Sequence, residues 1–347
     1  MKQIYAIDLF CGAGGLTYGL QKSGVRVNLG IDIDPNCVYP YSENNTAKFL
    51  LKSISELRGT ELKRYFSKND FSLLAGCAPC QTFSSYNQKA TEKDPRWSLL
   101  KHFSRLIEES KPDFVTMENV PGLAKEKIFK LFLRKLSQNK YYFTYSVIKC
   151  EEYGIPQTRK RLVLLASRFS VPRLLKPSEF NSTNKTLWDT IGNLPKLEAG
   201  KTDTKDRLHI VSSLSEINLK RIRASKPGGT WRDWPKGLRA QCHKKATGKT
   251  YSGVYGRMRW DLPASTITTQ FYGFGNGRFG HPDQNRALSL REGALIQGFP
   301  KKYKFIKKNT PISFVSLGRL IGNAVPVNLG ILIGKSLKQH IAEMNLG

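Results

Sequence analysis

Short apolar runs alternate with amphipathic stretches over the first 170 residues. Residues 94–112 and 125–138 repeat apolar side chains every three or four positions, which predicts two helices. Asp94 suits the N-cap of the first helix, Pro95 suits its first turn, and Lys111-Pro112 ends it. The apolar runs predict strands at residues 4–9, 25–31, 71–75, 114–117, 147–148 and 162–166. This alternation predicts an α/β fold, a doubly wound parallel sheet with helices on both faces.

The pattern changes near residue 171. From there to about residue 285 the chain is rich in Gly, Pro, Lys, Arg and Thr and shows few helical periods. Regular order returns with a short helix near 289–295 and a final helix near 326–344. We therefore predict a main domain at 1–172, a smaller loop-rich domain at 173–313, and a C-terminal segment at 314–347 that returns to the main domain.

The net charge of the chain indicates what kind of partner it binds. Lys and Arg number 56 against 27 Asp and Glu, a difference of +29. The excess is uneven, because residues 201–260 hold 15 basic and 4 acidic residues, 15 − 4 = +11. A polyanion such as nucleic acid would neutralise this excess. The alternative is a basic, soluble surface that reflects biased composition. We favour nucleic acid because the charge is concentrated.

Three features that the sequence lacks indicate the cellular compartment: a signal peptide, a membrane span and a disulfide framework. No signal peptide precedes the first predicted strand, and no apolar run approaches the roughly 18–20 residues of a membrane span. The six cysteines, at positions 11, 37, 77, 80, 150 and 242, are scattered through the chain. Scattered thiols in a long chain indicate reduced cysteines rather than a disulfide framework. We expect a cytoplasmic protein.

A glycine-rich loop follows the first predicted strand and opens a helix. Gly12, Gly14 and Gly15 allow a close backbone approach to a ligand. Asp32 ends the second predicted strand, twenty positions after Gly12, where a carboxylate commonly accepts ribose hydroxyls. A dinucleotide and S-adenosylmethionine both fit this pattern, although Thr17 stands where the dinucleotide fingerprint needs Gly or Ala. A tight strand–helix turn without a ligand remains the alternative.

Cys80 admits three interpretations. With Cys77 it has the spacing of a redox pair or of half a zinc site, but the chain has no second Cys-x-x-Cys. A buried, inert thiol is the usual interpretation, which we give to Cys11, Cys37, Cys77 and Cys150. For Cys80 we favour a nucleophile, because an acid follows a later strand and cations come further on. These accompanying residues are Glu118, Gln157, Arg159 and Arg161.

Taken together, these motifs resemble those of the DNA (cytosine-5) methyltransferases, in particular the bacterial restriction-modification type. Six blocks carry the resemblance in the family's order, at residues 8–17, 79–81, 118–120, 157–161, 291–300 and 322–326. The resemblance implies a Rossmann-like, S-adenosylmethionine-dependent catalytic domain. It also implies that the small domain is a target-recognition domain.

The resemblance implies a covalent mechanism. Cys80 would add to carbon 6 of cytosine, and protonated Glu118 would neutralise the ring at N3. Arg161 would contact the ring carbonyl oxygen, while Gln157 and Arg159 would position the catalytic loop or the target phosphate. The cofactor is S-adenosylmethionine, its product S-adenosylhomocysteine, and no metal is expected.

The resemblance also implies two further sets of site residues. We expect cofactor contacts from Asp8, Phe10, Gly12, Gly14, Gly15, Asp32, Ile33, Ser53, Pro79, Leu99, Asn323 and Val325. We expect DNA contacts from Gln81, Ser84, Arg232, Arg257, Arg259 and Thr266. Asp32 stands where the family often has Glu, and Ser53 where it commonly has Asp.

The expected substrate is duplex DNA with a short specific site, whose target cytosine swings out of the helix. We expect a monomer in the bacterial cytoplasm, and a cognate restriction endonuclease that acts on the same site without touching the enzyme. One alternative is a tRNA cytosine-5 methyltransferase of related fold. Others are a catalytically silent DNA-binding protein and a thiol redox module.

Overall fold

The structure, a computed structural model, describes residues 2–78, 96–245, 248 and 252–344. Within these ranges the strands are β1 (Ile4–Leu9), β2 (Arg26–Asp32), β3 (Lys48–Leu51), β4 (Phe71–Gly76), β5 (Phe114–Asn119), β6 (Tyr142–Lys149) and β7 (Lys160–Ser167). The helices are α1 (Gly15–Lys22), α2 (Val38–Asn44), α3 (Gly59–Lys63), α4 (Arg96–Ser110), α5 (Lys127–Gln138), α6 (Pro177–Phe180), α7 (Leu187–Ile191), α8 (Glu216–Ala224), α9 (Gln241–Lys244), α10 (Leu290–Ile296), α11 (Phe314–Asn323) and α12 (Val327–Met344).

The chain divides into two compact units. Unit 1 comprises residues 1–153, 160–182 and 324–347, and unit 2 comprises residues 154–159 and 183–323. The sequence placed the domain boundaries at 172/173 and 313/314. The later crossings in the structure lie at 182/183 and 323/324, and the short segment 154–159 belongs to unit 2 although unit 1 flanks it on both sides.

Unit 1 is built on one seven-stranded sheet. Its strand order is β3-β2-β1-β4-β5-β7-β6, and the pairs from β3 to β5 are parallel. β7 runs antiparallel to both β5 and β6. The α/β prediction is thus confirmed, but the prediction of a fully parallel sheet is wrong at this edge. The reason is the connection at residues 150–159, which is too short for the crossover of a dozen or more residues that parallel neighbours need.

The predicted strands and long helices of unit 1 are present. β1 has the predicted bounds, and α5 begins within two residues of its predicted start. The predicted start of α4, with Asp94 as N-cap and Pro95 in the first turn, lies outside the described residues. The sequence did not predict β3, α2, α3 or α6 of this unit. β3 is a four-residue edge strand with two exposed and two half-buried positions. A segment that short does not produce a clear alternation of apolar and polar residues.

The core of unit 1 lies between the sheet and its helices. Leu74, Val115 and Leu164 are fully buried on three adjacent strands, and Phe103 of α4 is buried in the same cluster. Apolar side chains therefore cover the buried parts of these strands. Polar side chains cluster at the carboxyl ends of β1, β4 and β5.

Two helices of unit 1 that are far apart in sequence touch through glycines. α12 packs on α1, and a Cβ built on Gly330 would lie 2.7 Å from the Leu16 carbonyl oxygen and 3.0 Å from the Gly19 Cα. The stretch Phe314–Met344 is long and apolar enough to cross a membrane by length and composition, but 78% of its most apolar window is buried within the molecule. A stretch that is mostly buried, as α11 and α12 are here, is typical of helices in a protein core.

Unit 2 is stabilised by an aromatic cluster and by buried ion pairs. Ile222, Trp231, Trp234 and Phe274 pack together in one buried cluster. Elsewhere in the unit, both Nη atoms of Arg286 donate to Glu292, at 2.8 and 2.7 Å, and both residues are fully buried. In α10 Ser289 and Glu292 form a reciprocal capping box.

Candidate active site

Three strands of unit 1 bring a carboxylate, a guanidinium and a thiol together. β4 and β5 are parallel with Gly76 opposite Met117, so Cys77 follows β4 beside Glu118. On the other side, Glu118 pairs with Val163 of β7, and Arg161 lies two positions from Val163 on the same face. The register of the sheet thus places Cys77, Glu118 and Arg161 at one edge.

Glu118 is 3% exposed, and each of its oxygens has a different partner. Arg161 Nε lies 2.6 Å from Oε1 in an ion pair whose N–H direction does not satisfy hydrogen-bond geometry. Cys77 Sγ donates to Oε2 at 2.7 Å. Among the described residues, Cys77 supplies the only hydrogen bond to this carboxylate.

Asn119 fixes the chain next to this carboxylate. Its Nδ2 donates to the Ala78 carbonyl oxygen at 3.0 Å, and its Oδ1 accepts from the Val120 amide at 2.9 Å. Asn119 therefore holds the backbone at the point where the nucleophile block begins. The predicted residues Pro79, Cys80, Gln81 and Ser84 lie outside the described residues.

Gln157 and Arg159 are buried in unit 2, at 0% and 4% exposure. Gln157 Nε2 donates to Gln297 Oε1 at 2.8 Å and to the Ile296 carbonyl oxygen at 3.1 Å. Arg159 Nη1 donates to the Ile267 carbonyl oxygen at 2.8 Å. Two of the six sequence blocks, 157–161 and 291–300, are thereby joined through their glutamines. This arrangement suits a positioning role for Gln157 and Arg159.

The glycine loop contains backbone conformations with positive φ, which glycine adopts readily. Gly12 and Gly14 have φ values of 53° and 91°, and Phe10 also has a positive φ of 59°. The Gly12 amide donates to Asp32 Oδ2 at 2.8 Å, and the Asp34 amide donates to Asp32 Oδ1 at 2.9 Å. Asp32 therefore closes the loop from the neighbouring strand. Each of its oxygens keeps a second lone pair for a ligand hydroxyl.

Asp8 is fully buried beside this loop. Its Oδ2 accepts from the Thr17 hydroxyl at 2.7 Å, while its Oδ1 has no hydrogen-bond partner among the described residues. Burial raises the pKa of Asp8 from 3.8 to about 7; the Thr17 hydrogen bond opposes this shift and the Asp32 charge adds to it. A buried oxygen without a partner is costly unless a ligand satisfies it.

The remaining predicted cofactor residues divide between the units. Ile33 follows Asp32 and is 70% exposed, an unusual position for a large aliphatic side chain. Phe10 and Leu99 are half-buried against the core of unit 1.

Ser53 caps a short 3-10 turn by accepting from the Ser55 amide, and Gly15 begins α1. Val325 lies in unit 1, whereas Asn323 ends α11 in unit 2.

These groups fit S-adenosylmethionine. The unsatisfied Asp8 oxygen suits an ammonium group, Asp32 suits ribose hydroxyls, and the exposed Ile33 side chain suits the face of an adenine. A Cβ built on Gly12 meets no atom within 4 Å, so the loop leaves open space next to Asp32. The described residues contain no group of three or more His, Cys, Asp and Glu that could hold a metal ion.

The structure corrects one predicted DNA contact. Arg257 is 5% exposed, and all three of its guanidinium nitrogens donate within unit 2. The acceptors include the carbonyl oxygens of Ile222, Ser225 and Gln284. Arg257 therefore ties loops of unit 2 together and has no free donor for a phosphate.

The other predicted DNA contacts in the described part of unit 2 lie at the surface. Arg232 is exposed, with its guanidinium carbon 5.5 Å from the centre of the Trp231 ring. Arg259 forms an exposed two-point ion pair with Asp261. Thr266 Oγ1 donates to the Thr158 carbonyl oxygen at 2.9 Å. These three positions remain accessible to a ligand of unit 2.

Sequence reasoning missed Cys77, which it classed as an inert buried thiol. The structure shows a half-buried thiol that donates to Glu118. The sequence did contain a signal: Cys77 and Glu118 each stand at the end of a predicted strand, and parallel neighbours end at the same edge. Only the strand order shows that these two strands are neighbours.

The structure places the acid Glu118 on β5, the end of β4 next to it, and the glycine loop after β1 on the following strand of the sheet. The chain belongs to the C-5 cytosine-specific DNA methylase family, whose sequence model matches residues 4–339. The family predicted from the motifs is thus confirmed, as is the prediction of an enzyme.

Individual relatives agree with this assignment. The chain is 49% identical to the type II methylase M.HgiDII of Herpetosiphon aurantiacus, over 96% of this chain and 95% of the relative. It is 32% identical to the type II methyltransferase M1.BsuMI of Bacillus subtilis, over 96% of this chain and 80% of the relative. The chain is therefore a cytosine-5 DNA methyltransferase similar to those of bacterial type II restriction-modification systems.

Solved structures support the fold independently. A Dnmt2 methyltransferase structure from S. pombe has a TM-score of 0.65 at 17% identity, covering 97% of this chain and 99% of that one. A prophage-encoded protein of E. coli, described as a DNA modification methyltransferase, reaches a TM-score of 0.72 at 22% identity, covering 97% and 99%. The Rossmann-like fold class predicted from the sequence is confirmed.

Proposed function

We propose that the protein transfers a methyl group from S-adenosylmethionine to carbon 5 of a flipped cytosine in duplex DNA, through a covalent adduct with Cys80. The observation that carries this proposal is the buried Glu118 carboxylate held at the carboxyl edge of the sheet by Arg161. Cys80 follows the end of the adjacent strand by four residues. An acid, a cation and a nucleophile therefore come from neighbouring strand ends.

The chemistry assigns each group a role. Carbon 5 of cytosine is too weak a nucleophile to take a methyl group, and addition of the Cys80 thiolate to carbon 6 turns the ring into an enamine. Glu118 gives its proton to N3 as negative charge builds on the ring. Arg161 holds Glu118 through Nε, its Nη1 donates to the Lys160 carbonyl oxygen, and its Nη2 would contact the ring carbonyl oxygen in this scheme. S-adenosylmethionine would supply an electrophilic methyl group to carbon 5. Loss of the carbon-5 proton to a base and return of the N3 proton to Glu118, with elimination of the Cys80 thiolate, would then restore the ring.

The cofactor would lie over the glycine loop. In this proposal Asp8 binds its ammonium group, Asp32 its ribose, and Ile33, Phe10 and Leu99 its adenine. Burial of the Asp8 carboxylate supports this assignment, because a cation is the partner that would best stabilise the ionised form.

The basic charge and the family support duplex DNA as the substrate. A target base must leave the helix to meet Cys80, and unit 2 would hold the surrounding phosphates while it does so. We further propose that the enzyme acts as a monomer in the bacterial cytoplasm and protects a site that a cognate endonuclease cleaves. The similarity to type II methyltransferases is the support for this role.

A transfer assay with tritiated S-adenosylmethionine tests the proposal. We expect label in 5-methylcytosine of duplex DNA and none in tRNA. Cys80→Ser should bind DNA and transfer almost nothing, and Glu118→Gln should lose about 100-fold or more in rate. DNA containing 5-fluorocytosine should trap the wild-type protein covalently. Label on adenine, label on tRNA alone, or an active Cys80→Ser variant would contradict the proposal.

A further inference from the structure

We propose that Cys77 is a positioning residue for methyl transfer: its thiol orients Glu118 and stabilises the carboxylate that remains after Glu118 has protonated the cytosine ring. This inference rests on the acid role proposed above for Glu118. It gives a function to a thiol that the covalent mechanism does not use.

The position of Cys77 is set by the backbone. Gly76 and Met117 form the last pair of the parallel ladder. Cys77 follows the end of β4, and Glu118 is the next residue on β5. Side chains at paired positions of adjacent strands point to the same face and lie close together. Cys77 directly follows the last pair of this ladder, and its Sγ lies 2.7 Å from Glu118 Oε2.

Arg161 alone does not fix the plane of the carboxyl group. Its Nε meets one oxygen, Oε1, and its other observed contact is a hydrogen bond from Nη1 to the Lys160 carbonyl oxygen at 2.8 Å. A contact to one oxygen alone leaves the carboxyl group some freedom to rotate about its Cγ–Cδ bond. The hydrogen bond from Cys77 to the second oxygen removes that freedom, so the group presents a defined edge to a base.

The thiol also matches the two protonation states of Glu118. A thiol is a weak donor and a weak acceptor, so it can accept from the protonated acid and donate to the carboxylate. When the Glu118 proton moves to ring N3, the S–H bond of Cys77 stays intact and turns its hydrogen toward Oε2. A donor that gains strength as negative charge appears on its acceptor stabilises the transition state more than the ground state.

Three variants test the inference in assays kept under reducing conditions. Cys77→Ala removes the donor, Cys77→Ser keeps a group that both donates and accepts, and Cys242→Ser removes an exposed thiol in unit 2 as the control. We expect kcat of Cys77→Ala to fall by about 10-fold or more, the size of a lost hydrogen bond to a charged group. Cys77→Ser should recover kcat to within about threefold of the wild type, and Cys242→Ser should match the wild type.

Two further readouts separate positioning from folding. The KM for S-adenosylmethionine and the Kd for DNA should stay within about threefold of the wild-type values in Cys77→Ala, because the proposed role of the thiol is toward Glu118 and not toward either ligand. The rate of covalent trapping on 5-fluorocytosine DNA should fall in parallel with kcat. Wild-type kcat in Cys77→Ala, or equally slow Cys77→Ala and Cys77→Ser, would overturn the inference.

A double-mutant cycle separates this inference from the proposal on which it rests. In a Glu118→Gln background, Cys77→Ala should lower the residual rate by less than about threefold, because the two residues act as one unit. Full activity in Glu118→Gln would refute the acid role itself. An inactive Glu118→Gln together with a fully active Cys77→Ala would refute only the role of Cys77.

Discussion

Asp8 is a fully buried acid with one satisfied oxygen, and its environment favours the neutral form. Burial raises its pKa from 3.8 to about 7, so the folded protein holds the Asp8 proton up to near neutral pH. The unfolded chain releases the same proton near pH 4. Between these values the folded state binds more protons than the unfolded state. The free energy of unfolding therefore falls as the pH rises from about 4 to 7, and the loss is complete above 7.

Replacing Asp8 with Asn should remove this loss. Without cofactor, we expect Asp8→Asn to melt above the wild type at pH 8, and the difference in Tm should shrink as the pH falls toward 5. Thermal melts across this range measure the effect.

Asp70→Asn provides a control of opposite sign. The exposed Asp70 accepts from the Gln3 amide, and that hydrogen bond lowers its pKa, so its contribution to stability is present at neutral pH and lost in acid. A difference in Tm between wild type and Asp8→Asn that does not change with pH would contradict the account of Asp8.

Motifs marked some residues as site candidates in the sequence, whereas roles that depend on packing were not visible there. Glu118 and Arg161 were recognised as site candidates from their motifs, and the structure pairs them. Cys77 was taken as inert and Arg257 as a DNA contact. In the sequence, Cys77 looks like any other cysteine and Arg257 like any other arginine. The sequence does not show that the thiol lies beside a carboxylate, or that all donors of the arginine are used inside the fold. Their roles come from partners that lie far along the chain.

At the scale of elements, the contact between α1 and α12 depends on glycine. Alanine at Gly330 would place its Cβ 2.7 Å from the Leu16 carbonyl oxygen, closer than real Cβ contacts. Alanine normally favours a helix over glycine by about 1 kcal/mol. Here we expect Gly330→Ala to lower the free energy of unfolding by about 2 kcal/mol instead, because the two helices must move apart.

Denaturant unfolding measures this change, and Gly237→Ala is the matched control. A Cβ on Gly237 meets no atom within 4 Å, so its substitution should leave stability almost unchanged. A Gly330→Ala variant at least as stable as the wild type would show that the helices have room to adjust.

Element types were easier to predict than element directions. Periodicity located β1, β4, β5, α4 and α5, because their buried faces are long. It did not reveal that β7 is antiparallel, since hydrophobic alternation is the same for either direction. The length of the 150–159 connection carries that information, and its 3-10 turn at Cys150–Tyr153 leaves no room for a crossover helix.

At the scale of the whole molecule, the charge of +29 should control DNA binding. A protein that makes 6–10 phosphate contacts loses about 10³–10⁵ in affinity between 50 and 200 mM salt. We expect a comparably steep decline, measured as the slope of log K against log salt concentration. Arg232→Ala, at an exposed position of unit 2, should reduce the magnitude of that slope by about one.

Arg168→Ala is the control for this measurement. Arg168 is exposed and follows β7 at the edge of the sheet opposite Glu118, where Ser167 pairs with Phe114. Its loss should leave the slope unchanged. A flat response of the wild type to salt would contradict binding through phosphates.

The way in which the chain divides between its two units bears on how the protein is made. α12 packs against α1, yet all of unit 2 is encoded between them. A growing polypeptide therefore leaves the ribosome with the Gly19 face of α1 lacking its partner helix until unit 2 has been translated. We expect a product truncated before α12 to expose this surface of α1 and to be cleaved by proteases faster than the full-length protein.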